Sequence, residues 1–525
     1  MRNKHAGAGM SGKKINWFYM RAIFKKYPLF ILLLPLSFLL HRYNELYGFL
    51  QGRDIVMFLV IVYGITAFAY VLLDSFLHAA RRSATIVFLL ALLLLYFGAF
   101  HDFIRKMAGR SFFSSYTLVL PATLLLFCTL VFFLIRKKNG WERLTVYLNV
   151  LFSVFIVADL VVFLQKAAQP AQNRNLIYPE MPISQQYIAA GTGGFPKPDI
   201  YFIVLDEYTS SRALDELWHF SNDGITAWLS EKGFRIIPSS KSNYDLTPFS
   251  VSSALNMQYI DSGRGDKKYS AGNILQAVKS MSVNETFSIL RKEGYTIRFI
   301  SPFLNSIENS VAPAEFNDFS EKQLYGQTLP ARIQKDILWN FSKWFPAGPA
   351  AAERAQEKVN RKVASVKAVI QQLNETVDSA AGRRPKFVYA HLMITHSPHL
   401  FDTAGNTRSL SGIYSVQPLF NSYIQQVIYA NRVIKKLVDT MLHANRKNAV
   451  IVIQGDHGFR DLPPAMQRYH FPIFSAVYFP DRNYEAIYDS MSPVNTFRVL
   501  FNHYFQQHLP LLKDTSLAVK FKQDY

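Results

Sequence analysis

Asp456 and His457 close the stretch Ala449-Val-Ile-Val-Ile-Gln-Gly-Asp456-His457-Gly458, where a continuous apolar run stops at a carboxylate and an imidazole. A run of that kind reads as a strand covered on both faces, and it delivers whatever follows to a sheet edge, where the pair can ligate a cation. Two further runs end in a similar way. Ile200-Tyr-Phe-Ile-Val-Leu205 stops at Asp206-Glu207, and a strand over 386–393 leads into Thr395-His396-Ser-Pro-His399. One acidic pair or one histidine in a loop is an ordinary solvated turn or cap. Three such groups at the carboxyl edge of one sheet make a candidate site.

A nucleophile is the fourth part. In Thr247-Pro248-Phe-Ser-Val251 the residue before proline is pushed out of the helical region while proline suits a first helical turn, so Thr247 reads as an N-cap. Such an oxygen lies at the positive end of a helix, where backbone amides hold phosphate or sulfate groups; without the strand-end groups it would be a cap and no more. A threonine hydroxyl is a poor nucleophile at neutral pH. A divalent cation bound by Asp206, Asp456 and His457 would stabilise its alkoxide and draw charge from an attacked phosphorus. Cys128, the one cysteine, lies in an apolar run, which leaves oxygen and nitrogen ligands, and these suit one ion of zinc or manganese.

The elements that must position these groups alternate. A helical pattern over 221–232 ends at Gly233 and leads into Phe234-Arg-Ile-Ile237, and another over 284–293, capped by Asn284, ends at Gly294 and leads into a strand over 295–300. Helices over 354–378 and 421–443 precede the strands over 386–393 and 448–454. Repeated helix–strand units predict an α/β domain over 199–525 with a mostly parallel sheet flanked by helices, its sites at the carboxyl ends of the strands. Residues 166–198, rich in Gln, Ala, Pro and Gly, read as a linker.

Ahead of the linker, apolar runs near 27–43, 55–77, 84–104, 113–135 and 144–165 each approach the ~20 residues a membrane-crossing helix needs, which predicts a five-helix transmembrane bundle over 27–165 behind a basic tail at 1–26. Thirteen Lys and Arg flank one side of the runs and five the other, so the tail is expected in the cytoplasm and everything after about 166 outside it. The first run is the weakest, interrupted by Pro28 and Pro35. The net charge of +20 is mostly this topology signal, because residues after 165 carry 39 basic and 31 acidic groups; anionic lipid, and no nucleic acid, is the expected partner. Asp159 is the one acidic group deep in an apolar run and is expected to face a neighbouring helix.

An apolar strand ending at Asp206, a threonine about forty residues later at a helix start, His396 before a proline and a late Gly455-Asp-His-Gly458 resemble the lipoteichoic acid synthase and lipid phosphoethanolamine transferase branch of the alkaline phosphatase/sulfatase superfamily. Ser242-Asn-Tyr-Asp-Leu-Thr247, Ser253-Ala-Leu-Asn-Met257 and Ser492-Pro-Val-Asn-Thr-Phe-Arg498 further resemble membrane-bound sulfatase-like proteins. The resemblance implies that Asp206, Thr247, Asp456 and His457 bind the metal, that Thr247 becomes covalently phosphorylated, and that His396 holds the substrate phosphate or protonates the leaving group. Glu207 is the fallback ligand if the strand register slips by one. His391, His399 and His470 are lesser candidates.

The implied activity is transfer of a phospholipid headgroup, of phosphoethanolamine or phosphoglycerol type, onto an envelope glycan or lipid at a bacterial inner membrane. A phosphodiesterase or phosphatase using water as acceptor, and a silent envelope-binding relative, are the alternatives. Sulfate ester hydrolysis is disfavoured, because Thr247-Pro-Phe-Ser-Val251 lacks the Cys/Ser-x-Pro-x-Arg order that sulfatases convert to formylglycine; a second metal has no evident ligands. Leu329 to Phe345 mixes Trp, Phe and Lys as an interfacial segment would, and the charged helix 354–378 reads as a solvated face.

Overall fold

In the computed structural model, described residues run from 17 to 521 with gaps at 48–49, 51, 110, 138–139, most of 169–196, 261–264, 266, 303–322, 339–348, 379–383, 410–418 except 413, and 445–447. Most of the expected tail and linker lie outside these residues. The chain forms two compact units, Met1–Gln169 with Ser320–Trp344, and Pro170–Phe319 with Phe345–Tyr525.

The first unit is helical: α1 Trp17–Lys26, α2 Phe30–Glu45, α3 Gly52–Leu77, α4 Ala80–Ala108, α5 Tyr116–Arg136 and α6 Trp141–Ala168. Four of these, α3 to α6, are long and apolar enough to cross a membrane. Large apolar side chains stand exposed along them, Val60, Phe68 and Phe76 on α3 and Leu125 and Phe133 on α5 among them, which suits hydrocarbon and not water. At 16 residues α2 is short by itself and carries Pro35. It does not stand by itself, because the segment α1–α2, broken at Pro28, runs in parallel beside α6. Lys25 pairs with Glu142 at 3.0 Å, the Phe30 amide donates to Asn149 Oδ1 at 2.7 Å, Asn44 donates to the Asp159 carbonyl at 2.8 Å, and Lys166 donates to the Asn44 carbonyl. From Glu142 to Asp159 is about 26 Å of helix rise, so α1–α2 keeps pace with α6 over that depth. The Asp159 carboxylate faces α2, 3.2 Å from His41 Nδ1.

The boundary expected at 199–525 is not that of the compact unit, since the described part of Ser320–Trp344 packs on α4 and α5. Leu329 is buried with Phe97 and Val119, so its apolar face is covered by other helices. Polar contacts hold the same segment: the Gly98 amide donates to the Gln327 carbonyl at 2.8 Å, Arg332 pairs with Asp102, and Tyr116 donates to Asp336 Oδ2 at 2.5 Å. Gly98 is needed there, because a Cβ would lie 2.6 Å from Gln327 Oε1 and 2.7 Å from its carbonyl oxygen.

The second unit is an α/β domain around a six-stranded sheet, with strands β1 Asp199–Leu205, β2 Arg235–Ile236, β4 Thr296–Ile300, β5 Lys386–Leu392, β6 Ala449–Gly455 and β7 Ser475–Tyr478 in the order β2-β7-β6-β1-β5-β4; β3 Lys268–Tyr269 and β8 Lys520–Phe521 form a separate pair. β4, β5, β1 and β6 are parallel, and β7 runs antiparallel between β6 and β2. Apolar side chains cover both faces. Ile200, Phe202, Val204, Phe387, Tyr389, Val450 and Val452 lie on one face and Tyr201, Ile203, Leu205, Val388, Ala390, Ile451 and Ile453 on the other. The helix Pro349–Asp378 is amphipathic, not merely solvated: Val359, Val363, Val366, Leu373 and Val377 pack into the second of these layers at helical spacing.

Replacing Gly98 by Leu should loosen the Ser320–Trp344 segment by about 1–3 kcal/mol, as overpacking does. Limited proteolysis of the full chain in detergent micelles should then cut between 323 and 338 roughly tenfold faster, and an unchanged cleavage rate would refute this account of the close approach.

Candidate active site

Strand register brings the chemistry together. In β1–β5 pairing Val204 lies opposite His391, and in β1–β6 pairing Val204 lies opposite Gln454. Side chains alternate along a strand, so Asp206 and Asp456, each two residues on, point to the same face as His391. The helix Thr247–Asn256 covers that face through Val251 and Leu255, with Thr247 at its first turn.

The expected cap is corrected by one residue: Leu246 occupies the N-cap position, with no side-chain cap hydrogen bond. Pro248 still supplies the early helical turn. The hydroxyl of Thr247, not consumed by capping, lies 3.2 Å from His457 Nε2. Two of the sequence motifs lock this segment from behind. Asn243 donates to Ser492 Oγ at 2.9 Å and accepts from the Val494 amide at 2.8 Å, and the Arg498 guanidinium holds the Met257 carbonyl at the helix end at 2.7 and 2.9 Å.

Around Thr247 the buried groups converge. His457 Nε2 is 3.5 Å from Asp456 Oδ2 and 3.6 Å from Asp206 Oδ1; His391 Nε2 is 3.0 Å from Asp206 Oδ2. The other imidazole nitrogens are held by the Gly458 carbonyl for His457, at 2.8 Å, and by the Tyr389 hydroxyl for His391, at 2.9 Å. A carbonyl only accepts, so His457 carries its proton on Nδ1 and turns a bare Nε2 toward the threonine. Burial pushes the His457 imidazole down, which keeps it neutral at pH 7. For Asp206 burial pushes up, and the charge of His396 together with the hydrogen bond from His391 outweighs it, holding the carboxyl below the usual range.

Two oxygens are left over. Asp456 Oδ1 accepts from the Glu207 and His457 amides at 3.0 and 2.9 Å, yet Asp456 Oδ2 and Asp206 Oδ1 are buried and lack a hydrogen-bond partner. Orphaned buried carboxylate oxygens facing one another are costly unless a cation lies between them. Ligand atoms of Asp206, His391 and Asp456 all fall within 4.8 Å of one another, so this buried group has the geometry of a metal site. His391 was ranked too low from sequence. The signal for it was a histidine at alternate spacing with Phe387 and Tyr389, but reading it required the β1–β5 register.

The remaining candidates separate. His396 Nε2 is 4.0 Å from Asp206 Oδ1 and partly exposed, at the rim. Glu207 faces away from the cluster and accepts from the Arg460 amide at 2.8 Å, with burial pushing its carboxyl up to about 7. His399 is packed against Phe459 and Tyr423 and bonded to Ser422 at 2.9 Å. His470 Nδ1 is 3.7 Å from Asp245. Gly458 cannot carry a side chain, because a Cβ would lie 2.2 Å from the Tyr469 carbonyl oxygen.

Residues 253–498 match the Sulfatase family. No curated protein matches the chain. Among solved structures, the C-terminal periplasmic domain of EcEptC from Escherichia coli is similar at 12% identity, covering 63% of this chain and 93% of that one with a TM-score of 0.37. The integral membrane lipooligosaccharide phosphoethanolamine transferase A of Neisseria meningitidis is similar at 13% identity, covering 91% of this chain and 94% of that one with a TM-score of 0.36. Substrate and mechanism must be argued from the residues themselves.

Replacing Asp456 by Asn keeps an oxygen for both amides and turns the orphaned Oδ2 into a donor facing Asp206. In metal-free protein the variant should melt higher than the parent by about 1–3 kcal/mol, roughly 2–8 °C, while losing any stabilisation by added zinc or manganese. Calorimetry showing a lower transition for the chelated variant would contradict the repulsion described above.

Proposed function

The chain carries a sulfatase-family domain behind an N-terminal helical membrane region, and we propose that it is a membrane-anchored, metal-dependent phosphotransferase that moves a phospholipid headgroup onto an envelope glycan or lipid. The observation that carries this reading is the convergence of Thr247 Oγ1, His457 Nε2 and the two orphaned oxygens of Asp206 and Asp456. Those groups, with His391 behind Asp206, would hold one divalent ion, zinc or manganese. When bound, the ion would lower the charge on the threonine oxygen and on the phosphoryl group.

Thr247 Oγ1, its proton given up to solvent, attacks the phosphorus of the donor phosphodiester, and the bond from phosphorus to the diacylglycerol oxygen breaks. His396, at the rim, gives that oxygen its proton and leaves the headgroup phosphate on Thr247. An acceptor hydroxyl then attacks the same phosphorus, surrendering its proton to His396, and the threonine oxygen departs as the alkoxide and takes back a proton from solvent. His391 acts by position: it donates to Asp206 Oδ2 and so leaves Oδ1 on the side of His457 Nε2, 3.6 Å away. Outer partners of this kind typically contribute about 10–100-fold in metal affinity.

The excess of basic residues on the tail side of the helices supports an extracytoplasmic site at a bacterial inner membrane, and the parallel run of α1–α2 beside α6 supports five crossings. Tethering presents a lipid donor at high effective concentration to a site that cannot diffuse away.

Purified chain incubated with labelled phosphatidylethanolamine or phosphatidylglycerol should acquire label on Thr247, detected by peptide mass spectrometry. Thr247→Ala should lower transfer by roughly a thousandfold or more, with Thr247→Ser partly restored. Label release into water without any acceptor would favour the phosphodiesterase instead, and no labelled threonine with either lipid would remove the proposal. His391→Ala should lose metal affinity by about 10–100-fold, as read by metal titration.

A further inference from the structure

Between α3 and α4 the helical unit holds a cavity of about 330 Å³. Phe58, Val62 and Thr66 of α3 and Val87, Ala91 and Leu95 of α4 wall it, one stripe of each helix at i, i+4 spacing. Tyr325, Thr328 and Pro330 of the docked segment lie across one end, where the Tyr325 ring is 5.6 Å from the Phe58 ring. The two threonine hydroxyls are engaged locally: Thr66 donates to the Val62 carbonyl at 2.7 Å, and Thr328 accepts from the Ala331 amide at 3.4 Å. What the cavity offers a ligand is hydrocarbon surface.

Water is a poor occupant, because an ordered water needs two to four polar partners. Left empty, the walls would forfeit the dispersion contacts that close packing supplies. Both helices are long and apolar enough to cross a membrane, and Ile61 and Ile65 on the lining are exposed, so the cavity opens sideways to acyl chains. From Phe58 to Ala69 the lining of α3 rises about 16 Å, close to one leaflet's half of a hydrocarbon core of about 30 Å. A groove of similar volume between α4 and α5 is lined by those two helices alone, with no segment across its end. Lipid tails are as apolar as leucine, so shape and not hydrophobicity decides whether a chain is retained or slides past. The cavity covered by residues 325–330 has that shape.

We infer that this cavity binds one acyl chain of a membrane phospholipid, held between α3 and α4 as a resident part of the helical unit. The inference does not depend on the phosphotransferase reading, since no group of the Thr247 site takes part.

The test uses the full chain in detergent-free vesicles of phosphatidylethanolamine and phosphatidylglycerol, doped with a phosphatidylethanolamine that carries a diazirine midway along one acyl chain. After irradiation, peptide mass spectrometry should find adducts on residues 58–69 and 323–332 at roughly tenfold the yield on the exposed face of α6, at Val154, Val157 and Val161. Filling the cavity with Ala69→Leu and Ala91→Leu should lower the first yield by roughly tenfold and leave α6 labelling as it was, which also reports that the helices are still inserted. Phe76→Ala, on an exposed part of α3 outside the cavity, should change neither. Equal yields on all three stretches would mean passing lipid only and would overturn the inference. So would an unchanged yield in the filled variant, or no adduct on 58–69, the result expected if a second copy of the chain occupied the cavity. Should the filled variant leave the membrane, the ratio of yields in the parent decides by itself.

Discussion

Two carboxylates buried beside each other without enough donors are the constraint on which the α/β unit depends. Asp206 and Asp456 are almost completely removed from water, and the amides and His391 satisfy only half of their oxygens. Such a pair leaves buried oxygens unsatisfied in the bare fold, and stability could be gained by replacing Asp456. Keeping both makes sense only if a positive charge is placed between them during function. The neighbouring groups fit that demand: the imidazole of His457 is neutral with a bare nitrogen, and the threonine oxygen is within its reach.

Rigid support follows from the same demand. The carboxylates are carried by the ends of adjacent central strands, covered on both faces by apolar side chains, so neither can withdraw without breaking the sheet. Thr247 arrives from a separate helix, and its placement depends on Asn243, Arg498 and the segment beyond Ser492. Preorganisation of this kind is what lets a weak nucleophile act, since little reorganisation remains when charge develops.

Much of this was legible before the fold was known. Continuous apolar runs marked β1, β5 and β6 as central strands, and their polar endings marked Asp206, Asp456 and His457. Local pattern could not reveal His391, since its partner across the register, Val204, is 187 residues away in sequence. Nor did it reveal β7, whose antiparallel insertion between β6 and β2 follows a loop with no helical crossover to announce it. The one-residue offset at Thr247 reflects competing preferences of a pre-proline residue and a helix start. Composition did flag Leu329 to Phe345 as unlike a soluble surface, but membership of the helical unit comes from contacts with Gly98, Asp102 and Tyr116 that no spacing rule encodes.

Because Ser320–Trp344 belongs to the helical unit while the chain on either side belongs to the other, the polypeptide passes between the two units three times, not once. A protease nicking the Gln- and Pro-rich stretch before β1 would leave the halves of the protein joined by two intact strands of chain. Conversely, a fragment beginning at Asp199 would carry Leu329 and Ile333 with nothing to cover them, and would be prone to stick to itself or to detergent.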